Sequence, residues 1–164
     1  MFNIGDVISV SKKGICKVED IAKNVFVGCD KSKLYYVLRP VNKVNNMVVY
    51  LPTDSPVAMR KVVSKQQAKQ ALDNILPEKS ISDIADNERF YEFNKIIQEG
   101  SFDDRIKLLN SLGFRKKTVA KKMFNLNEQK QLSLLIDLLS SEIAYSADEN
   151  ETDIKEMIIQ KLQA

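Results

Sequence analysis

The chain has 164 residues, 44% hydrophobic and 29% charged, with a formal net charge of +3. It contains no histidine and only two cysteines, Cys16 and Cys29, which excludes Ser-His-Asp and Cys-His catalysis, histidine-ligated metal and a disulfide scaffold. No apolar run reaches the roughly eighteen residues of a membrane span, and Met1-Phe2-Asn3-Ile4-Gly5-Asp6 lacks the features of a signal peptide.

The first half has the composition of an all-β module. Three of the five glycines lie before residue 29, and all four prolines lie before residue 78. Two β-branched runs, residues 5–10 and 15–21, flank Lys12-Lys13-Gly14, which reads as a β-turn because glycine accepts positive φ without steric cost. Strands are then expected at residues 23–27, bounded by Gly28, at 34–39, ended by Pro40, and at 47–51, ended by Pro52. Residues 60–63 make a last short strand. Short, evenly spaced strands with glycine and proline between them predict a small barrel. Within it, Lys23, Asn24, Val25, Phe26, Val48 and Tyr50 would form a displayed edge able to pair with a partner's sheet. The plainer alternative is that Phe26 and Tyr50 fill the barrel.

From Gln66 onward the apolar spacing is helical. Ser64 with Gln67 forms a capping box opening a helix to residue 75 or 76, and Pro77-Glu78-Lys79-Ser80 reads as a linker. Phe90, Phe93, Ile96 and Ile97 share one face of the next helix, which Gly100 ends as a C′ residue. Ser101 with Asp104 is a second capping box, followed by a stripe of Ile106, Leu109 and Leu112 as far as Gly113. Asn127 precedes a long helix carrying Leu132, Leu135, Leu138, Leu139 and Ile143. Ile154, Met157, Ile158 and Leu162 mark the last. The expected class is therefore α+β by segregation, a β-barrel followed by an all-α bundle. Its parts are a β domain at 1–64, a connecting helix and linker at 65–80, and a helical domain at 81–164.

Charge is segregated along the same axis. Residues 1–75 carry 12 basic against 6 acidic side chains, residues 79–130 carry 11 against 8, and residues 131–164 carry 2 against 7. Arg115, Lys116, Lys117, Lys121 and Lys122 are five cations within eight residues with no acid between them. Such a cluster either neutralises phosphates or is a solvated surface. Arg89 and Lys95 add to it. Tyr91 falls off the apolar stripe, beside Asn87, Asn94, Lys95 and Gln98, and either stacks on a base or packs on a neighbouring helix.

A set of residues in fixed order resembles the CarD family of bacterial transcription regulators, whose RNA-polymerase-interacting domain is similar to one in the transcription-repair coupling factor. The set comprises Phe2-x-x-Gly5-Asp6, Gly14, Gly28, Tyr35-Tyr36-Val37-Leu38, Val49-x-Leu51-Pro52 and Met59-Arg60 before Ser64. In the helical half it continues with Gly100 and Leu126-Asn127-Glu128-x-Lys130. The resemblance implies a Tudor-like barrel that docks on the polymerase β subunit, and helices that touch upstream promoter DNA largely without reading sequence. The implied function is modulation of open promoter complex stability. Two departures stand out. Val10-Ser11-Lys12-Lys13-Gly14-Ile15-Cys16 replaces a Tyr-Pro-x-His-Gly-x-Gly pattern, and Asp86 or a neighbour falls where many members carry a wedge tryptophan, with Tyr91 or Phe90 as the candidate substitutes. The expectation is a cytoplasmic, non-enzymatic transcription regulator with no cofactor, metal, membrane partner or small-molecule substrate. The alternative is a protein-interaction module that never touches DNA.

Overall fold

Ile8, Val10, Cys16, Val18, Tyr36 and Leu38 fall at every second position of their strands, and all six lie in one apolar core. That period-two pattern sets one face of a sheet against the core and leaves the other outside. The computed structural model describes residues 1–42 and 46–164, and the chain divides into two compact units, Met1–Val62 and Val63–Ala164.

The first unit is a five-stranded antiparallel sheet of β1 (Val7–Val10), β2 (Gly14–Ala22), β3 (Tyr35–Pro40), β4 (Val49–Pro52) and β5 (Met59–Lys61), in the order β4-β3-β2-β1-β5. A 3-10 turn at Ser11–Lys13 joins β1 to β2, and Gly14 takes φ +83° as Val10 pairs with it. Phe2, Ile21, Val49, Leu51, Val57 and Met59 flank the core. The Tyr36 hydroxyl accepts from the Phe2 amide at 3.1 Å, satisfying a polar group beneath the sheet.

Two strand expectations need correction. Residues 23–27 form no strand, because Asn24 (φ +55°) and Gly28 (φ +90°) turn the chain away from extension just after Ala22 pairs with Tyr35. The barrel is not closed either. β4 and β5 are opposite edges of the sheet and do not pair with each other. With four and three residues, they are too short to carry the curvature that closure needs.

The second unit contains α1 (Lys65–Asn74), α2 (Asp86–Glu99), α3 (Phe102–Thr118), α4 (Leu126–Ala147) and α5 (Glu151–Gln163). Their apolar faces share one core, and α4 packs against the other four helices. Both expected capping boxes form: Ser64 accepts from the Gln67 amide and Ser101 from the Asp104 amide. The segment read as a connector lies within this unit. Ala68, Ala71 and Ile75 are buried in the helical core. Asn110 Oδ1 accepts from the Leu76 amide at 3.1 Å, and Ser111 Oγ accepts from the Ser80 and Ile81 amides at 3.1 and 3.0 Å, so residues 76–81 are held against α3.

Helix boundaries moved where long-range packing intervenes. α3 runs through Gly113 to Thr118, and a Cβ at Gly113 would lie 2.8 Å from Leu162 Cδ2, so the missing side chain is the space that α5 fills. Gly100 ends α2 with φ −65° rather than in the left-handed region. Its requirement is steric, since a Cβ there would sit 2.4 Å from the Ile96 carbonyl oxygen. α4 begins one residue before Asn127: Asn125 is its cap and accepts from the Glu128 amide at 3.0 Å. In α2, Phe93 and Ile97 are buried but Phe90 is not.

Candidate functional site

The outer face of the sheet carries an aromatic cluster. In β3 the inward Tyr36 and Leu38 alternate with Tyr35, Val37 and Arg39, and Tyr50 pairs opposite Val37. The irregular segment after β2 then lays Phe26 over these strands. Its ring meets Tyr35 edge-on at 5.7 Å and Tyr50 at 5.5 Å between centroids. Such pairs contribute about 0.5–1.5 kcal/mol beyond their buried area. Phe26 nevertheless keeps 45% of its surface exposed and Tyr50 keeps 37%, while Val27 stands fully in solvent. Lys23 and Asn24 are exposed, and Val25 and Val48 are half-buried.

Polar contacts fix this face at both ends. Asp30 donates its amide to the Tyr35 hydroxyl at 3.0 Å, and its carboxylate accepts from the Ser32 hydroxyl and amide, which hold the Asp30 carboxyl below its usual range. At the other end Arg39 Nε donates to Glu19 Oε1 at 2.6 Å. The arginine lowers the Glu19 carboxyl and is itself raised by that partner. Glu19 is the additional residue at the register shift between Val18 and Asp20. Among the described residues β4 pairs with β3 alone, which makes it an edge strand beside the aromatic rings. The structure brings Phe26 and Tyr50, both expected on the displayed edge, into contact with each other; Tyr35 and the Glu19–Arg39 pair were not expected there, because their places depend on strand register.

The helical cations separate into two kinds. Lys95, Lys116, Lys117, Lys121 and Lys122 are exposed, and Lys117 donates to the Ala164 carbonyl oxygen. Arg115 and Lys116–Lys117 occupy the last turn of α3, where positive charge also complements the helix dipole. Arg89 and Arg115, by contrast, turn inward onto Glu128. Arg115 Nε donates to Glu128 Oε1 at 2.8 Å and Arg89 lies 3.8 Å from the same oxygen, while the Glu128 side chain is 4% exposed. Arg89 also pairs with Asp86 and donates to the Ile84 carbonyl. Tyr91 is 73% exposed and touches only the edge of Phe90, at 5.7 Å, among ring contacts of the described residues. A cleft of about 160 Å³ lies beside the arginines, walled by Ile81, Phe93, Phe114 and Val119.

Among the described residues no cluster of acids and cysteines is arranged to hold a metal ion, and no helix is long and apolar enough to cross a membrane. Fold and face together define a segregated α+β protein whose sheet combines an open edge with an aromatic outer surface. Residues 2–63, the whole sheet unit with Phe26, Tyr35 and Tyr50, match the family model described as the CarD-like/TRCF RID domain. That match supports an RNA-polymerase-interacting domain in the first unit. No curated protein matches the chain.

Proposed function

We propose that the protein is a cytoplasmic, non-enzymatic transcription regulator that docks on the RNA polymerase β subunit through the β4 edge and the Phe26–Tyr35–Tyr50 face. The observation that carries this reading is the coincidence of a displayed aromatic cluster with the stretch matched by the polymerase-interacting family. Docking supplies backbone pairing along β4 and a half-exposed aromatic anchor beside it, the combination that β-augmentation uses. The helical unit then contacts upstream promoter DNA through Lys95, Lys116, Lys117, Lys121 and Lys122, with Tyr91 available to stack on an unpaired base. Weak contacts suffice once docking raises the local concentration, and holding the DNA beside the polymerase changes the stability of the open promoter complex.

Capture of RNA polymerase by the immobilised full-length chain tests the docking. Wild type retains the enzyme, and Phe26→Glu loses it. A folded Phe26→Glu protein that still retains polymerase overturns the assignment of the face. A second reading, a polymerase-binding module without DNA contact, is favoured by one observation: Glu128 engages two of the cations nearest the helical surface. Promoter binding by the full chain, followed across salt concentrations, separates the two.

A further inference from the structure

Glu128 occupies the point where three helices of the second unit meet. As the third residue of α4 it closes the helix's capping box, its Oε2 accepting from the Asn125 amide at 3.1 Å. Its other oxygen takes Arg115 of α3 at 2.8 Å and faces Arg89 of α2 at 3.8 Å. The side chains are 4%, 23% and 15% exposed respectively, so the charges meet largely away from water. One turn further along α4, Gln131 Nε2 donates to the Phe90 carbonyl at 3.2 Å, tying the same stretch of α2 to α4. Tyr91 follows immediately on α2, and Lys116 and Lys117 follow Arg115 on α3.

We infer that Glu128 is a positioning residue for the DNA-facing surface and, at the same time, an internal mask that withholds Arg89 and Arg115 from phosphate. The inference rests on the DNA-contacting reading above. A guanidinium held by a desolvated carboxylate keeps its charge, but a phosphate must displace that carboxylate to use it. The ammonium groups of Lys95, Lys116, Lys121 and Lys122 are exposed, and Lys117 donates to a carbonyl oxygen, that of Ala164, rather than to a buried carboxylate. Arg and Lys therefore play different parts here. The arginines and Glu128 fix the spacing between the ring of Tyr91 and the lysine turn of α3, and the lysines alone supply counterion release.

The test is the salt dependence of binding to a short duplex of arbitrary sequence, measured with the full chain. Arg115→Gln and Arg89→Gln are expected to leave the slope of log affinity against log salt unchanged. Glu128→Gln preserves the capping box, since glutamine serves at that position as well as glutamate, and it removes the carboxylate charge that holds Arg115, while Arg89 keeps its pairing with Asp86. It is expected to tighten duplex binding and steepen the slope by about 0.9, the contribution of one released cation, Arg115. If wild type binds no duplex at all, the DNA reading fails, yet Glu128→Gln still gains salt-dependent binding if the mask exists. A folded Glu128→Gln protein that binds no more tightly than wild type overturns the inference. So does an Arg115→Gln protein that melts like wild type but loses about 0.9 of slope. Should Glu128→Gln not fold, the two arginine variants decide the matter, and the side-chain Nε–H signal of Arg115 in nitrogen-15 spectra adds a direct readout. That signal stays in place on adding duplex if Glu128 holds it, and shifts if phosphate takes it.

Discussion

Phe26 and Tyr50 meet with their ring centroids 5.5 Å apart and their planes 40° from parallel, although one belongs to an irregular segment and the other to an edge strand. Each ring is partly supported and partly in water, so each serves packing and display at once. Phe26→Glu is expected to lower stability by about 1–2 kcal/mol, the loss of two aromatic contacts at a half-exposed site. Thermal melting should show a drop of a few degrees, while polymerase capture disappears. A collapse of the fold would mean that the ring is chiefly core.

Neutralising Lys116, Lys117 and Lys121 together should weaken binding on every duplex sequence alike. The salt slope should flatten by up to about three units, at roughly 0.9 per phosphate contact. Fluorescence anisotropy at a series of salt concentrations reads this directly. Tyr91→Ala should leave the slope alone and weaken only melted or single-stranded DNA, by about 1–3 kcal/mol if the ring stacks. An unchanged slope in the triple variant would remove the lysines from the DNA surface.

The box that opens α3 predicts an acid-dependent difference. The Ser101 hydroxyl and amide both donate to the Asp104 carboxylate, at 2.8 and 3.0 Å, and hold its carboxyl below the usual range. Because the folded value is the lower one, the stabilisation is complete above the ordinary carboxylate range and is lost as pH falls through the depressed folded value. Ser101→Ala should cost about 1 kcal/mol near neutral pH. The gap between wild type and variant should narrow on acidification below about pH 4. A gap that stays constant down to acid denaturation would exclude the carboxylate from the cap.

Two glycines of the helical unit should respond differently to alanine. At Gly100 the new Cβ meets a backbone carbonyl oxygen at 2.4 Å, and backbone has little room to yield, so a loss of about 1–3 kcal/mol is expected. At Gly113 the nearest atom is the tip of Leu162 at 2.8 Å, which can swing aside, and the helix gains about 1 kcal/mol of propensity. Gly113→Ala should therefore lie closer to neutral. Denaturant melts of the two variants give the comparison.

What was legible in the sequence depended on how far each feature reaches along the chain. Ser64 with Gln67 and Ser101 with Asp104 declare helix starts three residues at a time, and both boxes form. The inward alternation of the strands was equally local. The segment at Lys23 to Val27 looked like a strand because its side chains are β-branched and aromatic, but the backbone at Asn24 and Gly28 adopts positive φ. Hydrophobic pattern carries no warning of that. The continuation of α3 past Gly113 was hidden because its reason, Leu162, lies on another helix. Arg89 and Arg115 looked like neighbours of the lysines, and their partner Glu128 lies 39 and 13 positions away. The one local clue was Asn125-x-x-Glu128, a third capping box that fixed where this carboxylate would sit.

The placement of Phe26 outside the ladder has a consequence for how this surface can diverge. Inserting or deleting one residue inside β3 or β4 would shift the later pairings and turn core side chains outward. Between Ala22 and Tyr35 no such penalty applies, because the segment lays the Phe26 ring against Tyr35 and Tyr50 without taking part in the register. Insertions there can reshape the exposed surface around Phe26 without shifting the strand register. The contour of this surface and the pairing of the sheet thus depend on partly separate stretches of the chain, and the first can drift while the second is kept.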